Sequence, residues 1–174
     1  MAIPTMNTFT AGQRWRAADV NSQIRDAVTF AFTAKSCRAT SAAATSIATA
    51  TWTPLTFTSE SFDTDNWHST STNTDRITPT LAGIYRVEIQ VGFAPSATGM
   101  RGVRITKNGS TNIGGVQQSA SPAGVMTLLY AATTMNMNGS TDYFSTEVRQ
   151  TSGGNLALET SETATTFTVT WIGA

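Results

Sequence analysis

The residues able to do chemistry in this 174-residue chain are few and scattered. Its one histidine, His68, stands in the run Asp63-Thr64-Asp65-Asn66-Trp67-His68-Ser69, where an acid, a base and a hydroxyl fall within seven residues. A hydrolytic triad needs those three side chains to converge on a substrate carbonyl, and neighbours along one loop have no reason to converge. His68 is therefore expected to make surface or interface hydrogen bonds. Asp63, Asp65 and Asn66 could offer hard oxygen ligands to calcium, but the glycine and distal glutamate that complete an EF-hand loop are missing. An Asx-rich turn is the simpler reading. Asp142, Glu147, Glu159 and Glu162 would form a glycosidase pair only if two of them faced each other across a cleft, and acids on strand exteriors are ordinary. Lone Cys37, in Lys35-Ser36-Cys37-Arg38-Ala39-Thr40, reads as a buried, inert thiol. One cysteine and one histidine cannot build a standard zinc site. Gly99-Met100-Arg101-Gly102 and Asn112-Ile113-Gly114-Gly115 lack the Lys-Ser/Thr ending of a phosphate loop and read as turns. The expectation is a non-enzymatic protein with no catalytic residues, no cofactor and no bound metal.

Composition narrows the remaining classes. Only 13% of the residues are charged, against roughly 25% in an ordinary soluble domain, while 40% are hydrophobic. A surface so poor in charge suits a protein much of whose outside is covered by copies of itself or by other proteins. The net charge of zero lacks the basic footprint of a nucleic-acid binder. Neither a signal-peptide pattern nor an apolar run of membrane-spanning length occurs, so synthesis in the cytoplasm without membrane insertion is expected. Exposed aromatics among Trp15, Trp52, Trp67 and Trp171 could stack on a host surface glycan, although core or interface packing is the commoner use.

These side chains need elements to hold them. Residues 1–16 are extended and irregular, punctuated by Pro4 and Gly12. Val20, Ile24, Ala27, Val28 and Ala31 then recur at three and four residues, predicting a helix from about Ala17 to Phe32 with Asn21, Gln23, Arg25 and Asp26 on its other side. A helix of four turns is marginal alone, so its apolar stripe must dock on the rest of the chain or on the same helix in neighbouring subunits. Val20, Ile24 and Val28 are the candidate anchor residues.

From Ser36 the period changes to that of strands, separated by Gly, Asn, Asp and Ser clusters. Ala42–Ala50 is a stretch of small residues suited to close packing. Trp52–Phe57 reads as a strand with an edge proline. Ser59–Asp75 reads as polar turns anchored by Phe62 and Trp67. Gly83–Phe93 alternates cleanly, with Tyr85, Val87, Ile89, Val91 and Phe93 on one face. Arg101–Lys107 follows, with Val103 and Ile105 inward, and Asn108-Gly109 signals a hairpin. Val125–Met135, Tyr143–Thr151 and Phe167–Ile172 complete the pattern. The fold expected is mainly β, an antiparallel jelly-roll β-sandwich over residues 34–174, preceded by an extended arm and one short α-helix over residues 1–33.

Two stretches resemble known proteins. Phe9-Thr10-Ala11-Gly12-Gln13-Arg14-Trp15-Arg16-Ala17-Ala18-Asp19-Val20-Asn21 resembles the opening of many tailed-bacteriophage virion proteins: a short arm, a glycine, an Ala-Asp-Val-Asn element, then a helix. The usual threonine cap is replaced by Arg16. The second runs from Phe62–Ser71 through Arg76-Ile77-Thr78-Pro79 to Ala82-Gly83-Ile84-Tyr85-Arg86-Val87, with Phe93 and the closing Phe167–Gly173. It resembles the jelly rolls of the tumour necrosis factor and complement globular-head type found in phage tail, fibre and head-decoration proteins. The resemblance implies a homotrimer packed through aromatic and aliphatic faces, with Tyr85, Phe93, Phe167 and Trp171 as trimer or core aromatics. It also implies a virion location, with other virion proteins bound through residues 1–33. A minor tail or fibre component is the leading expectation; a trimeric head-decoration or head-fibre protein and a soluble carbohydrate-binding module are the alternatives.

Overall fold

The structure, a computed structural model, describes residues 3–5, 8, 10–41, 44–159 and 165–174. Phe9 of the arm element, part of the Ala42–Ala50 stretch and Glu162 lie outside the described residues.

The helical period is realised over the expected span, in three pieces: α1 (Ala17–Val20), a π-helical turn (Asn21–Arg25) and α2 (Asp26–Phe32). With Arg16 at the cap position, the first turn is closed from inside the helix: the Asp19 carboxylate accepts from the Arg16 backbone N–H at 3.2 Å. That is one half of a capping box, and it places an acid where the helix dipole favours it. The helix ends where Thr33 turns extended and its hydroxyl donates back to the Thr29 carbonyl at 2.6 Å.

Among the described residues twelve strands follow: β1 (Ser36–Thr40), β2 (Ser46–Ile47), β3 (Thr53–Pro54), β4 (Ser59–Asp63), β5 (Arg76–Ile77), β6 (Ala82–Phe93), β7 (Met100–Lys107), β8 (Thr111–Ser119), β9 (Thr127–Asn138), β10 (Phe144–Gln150), β11 (Leu156–Ala157) and β12 (Thr166–Gly173). One sheet has the order β4-β1-β12-β6-β9; the other is β3-β10-β7-β8, with β5 also on β10; β2 and β11 pair separately. All ladder pairings are antiparallel. The fold is a mainly β antiparallel sandwich behind one short helix.

The alternation of β6 sets the core. Tyr85, Val87, Ile89, Val91 and Phe93 are all fully buried between the sheets, joined by Val103 and Ile105 from β7 and Phe167 and Val169 from β12. Tyr85 packs edge-on to Trp67 and to Phe144, and its hydroxyl donates to the Leu81 carbonyl at 2.7 Å, so its one polar atom is satisfied. Phe57 stacks on Phe167 with centroids 5.5 Å apart. Tyr85, Phe93 and Phe167 are therefore core residues. Gly83, which opens the Gly-x-Tyr-x-Val run, has φ +138°, and a Cβ there would sit 2.3 Å from the Gly173 carbonyl oxygen and 2.6 Å from Trp171 Nε1. Only glycine lets the ends of β6 and β12 close on each other.

Several expectations are corrected. The segments read as turns at 99–102 and 112–115 are largely strand: Met100, Arg101 and Gly102 belong to β7, and Asn112 to Gly115 to β8. The β7–β8 ladder supplies what their side chains do not. Ser59–Asp63 is a strand rather than part of a turn, and Phe62 lies exposed on it instead of anchoring the core. Trp67 is buried as expected.

Candidate functional site

The loop that carries His68 folds around its own polar groups. The Asp63 carboxylate accepts from the backbone N–H of His68 at 2.8 Å and of Asp65 at 3.3 Å. Thr64 donates to Asp65, and Asn66 takes a positive φ of 56°. Asp63, Asp65 and Asn66 thus build an Asx-type turn. Among the described residues, no cluster of three or more His, Cys, Asp or Glu is arranged to hold a metal ion.

His68 is not at the surface. Its ring is fully buried, with Nδ1 2.7 Å from Glu60 Oε1 and Nε2 3.4 Å from the Thr74 carbonyl. Ser69 bonds instead to Ser71 and Thr72. The three types that a triad requires are adjacent in sequence and do not converge. The partner that matters, Glu60, arrives from β4, an element the sequence pattern did not reveal.

Asp142 and Glu147 are similarly engaged. Asp142 accepts from Lys107 Nζ at 2.7 Å, Asn108 Nδ2 at 2.9 Å and the Asn138 N–H at 3.0 Å. The Asn108 amide, then the Lys107 ammonium, hold its carboxyl below the ordinary value. Glu147 pairs with Arg104, whose guanidinium lies 4.4 Å from the centre of the Trp52 ring. Cys37 is fully buried in β1; burial first, then the charges of Asp63 and Glu60, push its thiol far above the ordinary range. That is an inert thiol.

What stands out is apolar surface. Strand alternation that buries Tyr85 and its neighbours turns Ile84, Arg86 and Glu88 of β6 to the outside of the five-stranded sheet, the face that also carries Leu128 and Tyr130 further along β9, opposite Gly92 and Gln90. Tyr130 is 52% exposed and Ile172, at the end of β12, 56%; Ile84 and Leu128 are also exposed. They form two pairs on one sheet face, Ile84 with Ile172 at one end and Leu128 with Tyr130 toward the other, with Arg86 and Glu88 between them. Among them lies a polar recess of about 160 Å³ lined by Arg38, Glu88, Gln90, Tyr130, Thr166 and Thr168. There the Tyr130 hydroxyl donates to Glu88 Oε1, which also accepts from Arg86 at 2.7 Å. The tyrosine bond, and secondarily the Arg86 bond, lower the Glu88 carboxyl below its ordinary value despite some burial. Arg38 Nε is buried in this face with no hydrogen-bond partner.

The helix shows a second such surface. Gln23 and Phe30, seven residues apart, form its buried side. Phe30 meets Trp171 edge-on at 5.6 Å, with Lys35 Nζ over the Phe30 ring at 5.1 Å, and Trp171 Nε1 donates to the Ala82 carbonyl. The predicted anchors Ile24 and Val28 remain 45% and 50% exposed, Val20 is half-buried, and Phe32 is 87% exposed. The apolar stripe read from sequence is real, but the sandwich is not what covers it. Gln23, assigned to the polar side, is the residue that turns inward. Phe30 was missed, because it falls off the stripe and its partner lies 141 residues further along the chain.

Comparison with known proteins supports the architecture. No protein-family model matches the sequence, and no curated protein matches it. Among solved structures, the crystal structure of murine APRIL at pH 8.0 is 16% identical and superposes with a TM-score of 0.63, covering 80% of this chain and all of that one. The murine APRIL structure at pH 5.0 gives 15% and 0.63 over the same shares. Eiger TNF from S. frugiperda is 9% identical, with a TM-score of 0.57 over 80% of this chain and 93% of its own. At such identities the likeness concerns the fold alone, and the fold is the TNF-like jelly roll.

Proposed function

We propose that this chain is a non-enzymatic structural protein of a tailed-bacteriophage virion, a homotrimeric minor tail or fibre component attached through its N-terminal arm. The observation that carries the trimer is the outer face of the five-stranded sheet. Ile84, Leu128, Tyr130 and Ile172 are solvent-exposed there. Burying apolar area contributes about 25 cal/mol per Å², and a face repeated around a closed threefold ring gathers it without any new element. The TNF-like fold and the low charge agree with a surface of this kind.

The virion assignment rests on the resemblance of residues 9–21 to the opening of phage structural proteins. The non-enzymatic reading is supported by the engagement of Asp142, Glu147, His68 and Ser69 in structural bonds. Its test is compositional: particles purified by density gradient from the host that carries the gene should contain peptides of this chain. A chain lacking residues 1–16 should remain folded yet be missing from those particles. Free protein with none in the particles overturns the assignment.

A further inference from the structure

We infer that the exposed stripe of the N-terminal helix is covered by the same helix of the other two subunits, forming a parallel three-helix bundle continuous with the sandwich trimer and leaving residues 1–16 for attachment. The inference rests on the trimeric reading above and adds to it a second contact with its own residues.

The geometry of the helix argues for this occupant. Val20, Ile24, Ala27 and Ala31 recur at the alternating four- and three-residue spacing that seats one parallel helix against another, and Val28 and Phe32 widen the apolar face to one side. Ala27 is half-buried and Ala31 exposed, so small side chains are available near the stripe where a neighbouring backbone approaches.

Position points the same way. The helix meets the sandwich through Phe30 on Trp171, and Gln23 lies beside residues 3–5 of the arm, which leaves the Ile24, Val28 and Phe32 series exposed. The chain then enters β1 beside β12, where the Trp171 N–H donates to the Lys35 carbonyl at 2.9 Å. Ile172 and Ile84, two of the exposed residues of the sheet face, lie at this same end: Gly173 pairs with Ile84 in the β12–β6 register. The helix therefore leaves the sandwich at the end of the sheet that carries Ile84 and Ile172, so a trimer closed by that face would bring three such helices together. Residues 17–32 carry two acids and one base, with Arg25 and Asp26 already paired at 2.9 Å, so three copies can approach with little net repulsion.

The test uses the full-length chain and a three-armed maleimide. Cys37 is buried, so the native protein should give no cross-link. Ile24→Cys should be trapped as a covalent trimer at high yield, while Asp26→Cys, on another side of the helix, should yield at least tenfold less. Sedimentation of each variant reports assembly separately. A trimer in which position 24 links no better than position 26 overturns the helix bundle while leaving the sheet-mediated trimer standing. A monomeric wild-type protein overturns both. Trimers that link through position 24 and keep doing so after the sheet face is disrupted by Tyr130→Asp would establish the helix as an independent contact.

Discussion

Asp142→Asn should destabilise the sandwich measurably at neutral pH and not at all in strong acid. The Asp142 carboxylate ties the β7–β8 hairpin to the β9–β10 loop through Lys107, Asn108 and the Asn138 N–H. An amide presents one acceptor where the carboxylate presents two. If its oxygen serves Lys107 and Asn138, its NH2 faces the Asn108 NH2, and Asn108 cannot turn over because its Oδ1 already accepts from the Tyr143 N–H at 2.9 Å. The Asn108 bond is lost, and the Lys107 ion pair is reduced to an ammonium–amide bond. Hydrogen bonds to charged groups contribute about 1.5–3 kcal/mol when buried, and this site is partly open, so a cost of about 1–2 kcal/mol is expected. For a chain of this size that corresponds to roughly 2–8 °C in Tm. The sign with pH follows from the lowered carboxyl. Its stabilisation is complete above the ordinary value of 3.8 and disappears as pH falls through the lower folded value. Thermal unfolding by circular dichroism at fixed protein concentration, at pH 7 and below pH 3, measures the gap between wild type and variant. Equal Tm values at pH 7, or a gap that persists undiminished in acid, would refute the reasoning.

Three further outcomes follow from the same structure. Gly139→Ala should cost about 2–4 kcal/mol, since φ is +68° and the new Cβ would lie 2.2 Å from the Ala82 nitrogen, whereas Gly153→Ala, with open space around it, should cost only about 1 kcal/mol for its positive φ; urea unfolding compares them. Cys37 should resist a thiol reagent at pH 8 in the native protein and react stoichiometrically once unfolded, and rapid native labelling would contradict its burial. Phe30→Ala should release the helix from Trp171, seen as a lower Tm and a changed near-ultraviolet signal; an unchanged spectrum would mean that the contact is not what orients the helix.

The fold was legible wherever local pattern and tertiary role coincide. Gly83–Phe93 alternates because one face is core, and the alternation survives in composition alone. Asn108-Gly109 marks its hairpin because both residues take positive φ, 55° and 68°. β8 was not legible: Gly114, Gly115, Gln117 and Gln118 have little strand preference, and only β7 alongside makes them a strand. The burial of His68 was hidden because Glu60 reaches it from β4, an exposed polar segment that looks like a turn. The helix stripe was visible, and its lack of a partner within the chain was not, since periodicity reports that a face is apolar without saying what covers it. The face formed by Ile84, Leu128, Tyr130 and Ile172 escaped for the opposite reason. Each residue belongs to a different register position on three strands, and only the sheet gathers them.

The central claim is that this sandwich works as a trimer closed by the outer face of its five-stranded sheet. Sedimentation equilibrium of the full-length chain at micromolar concentration tests it most directly. One species at three times the 18.4 kDa chain mass is predicted, and Leu128→Asp combined with Tyr130→Asp should shift it toward monomer while β-sheet circular dichroism is retained. A monomeric wild-type protein, or a trimer indifferent to both substitutions, would contradict the account.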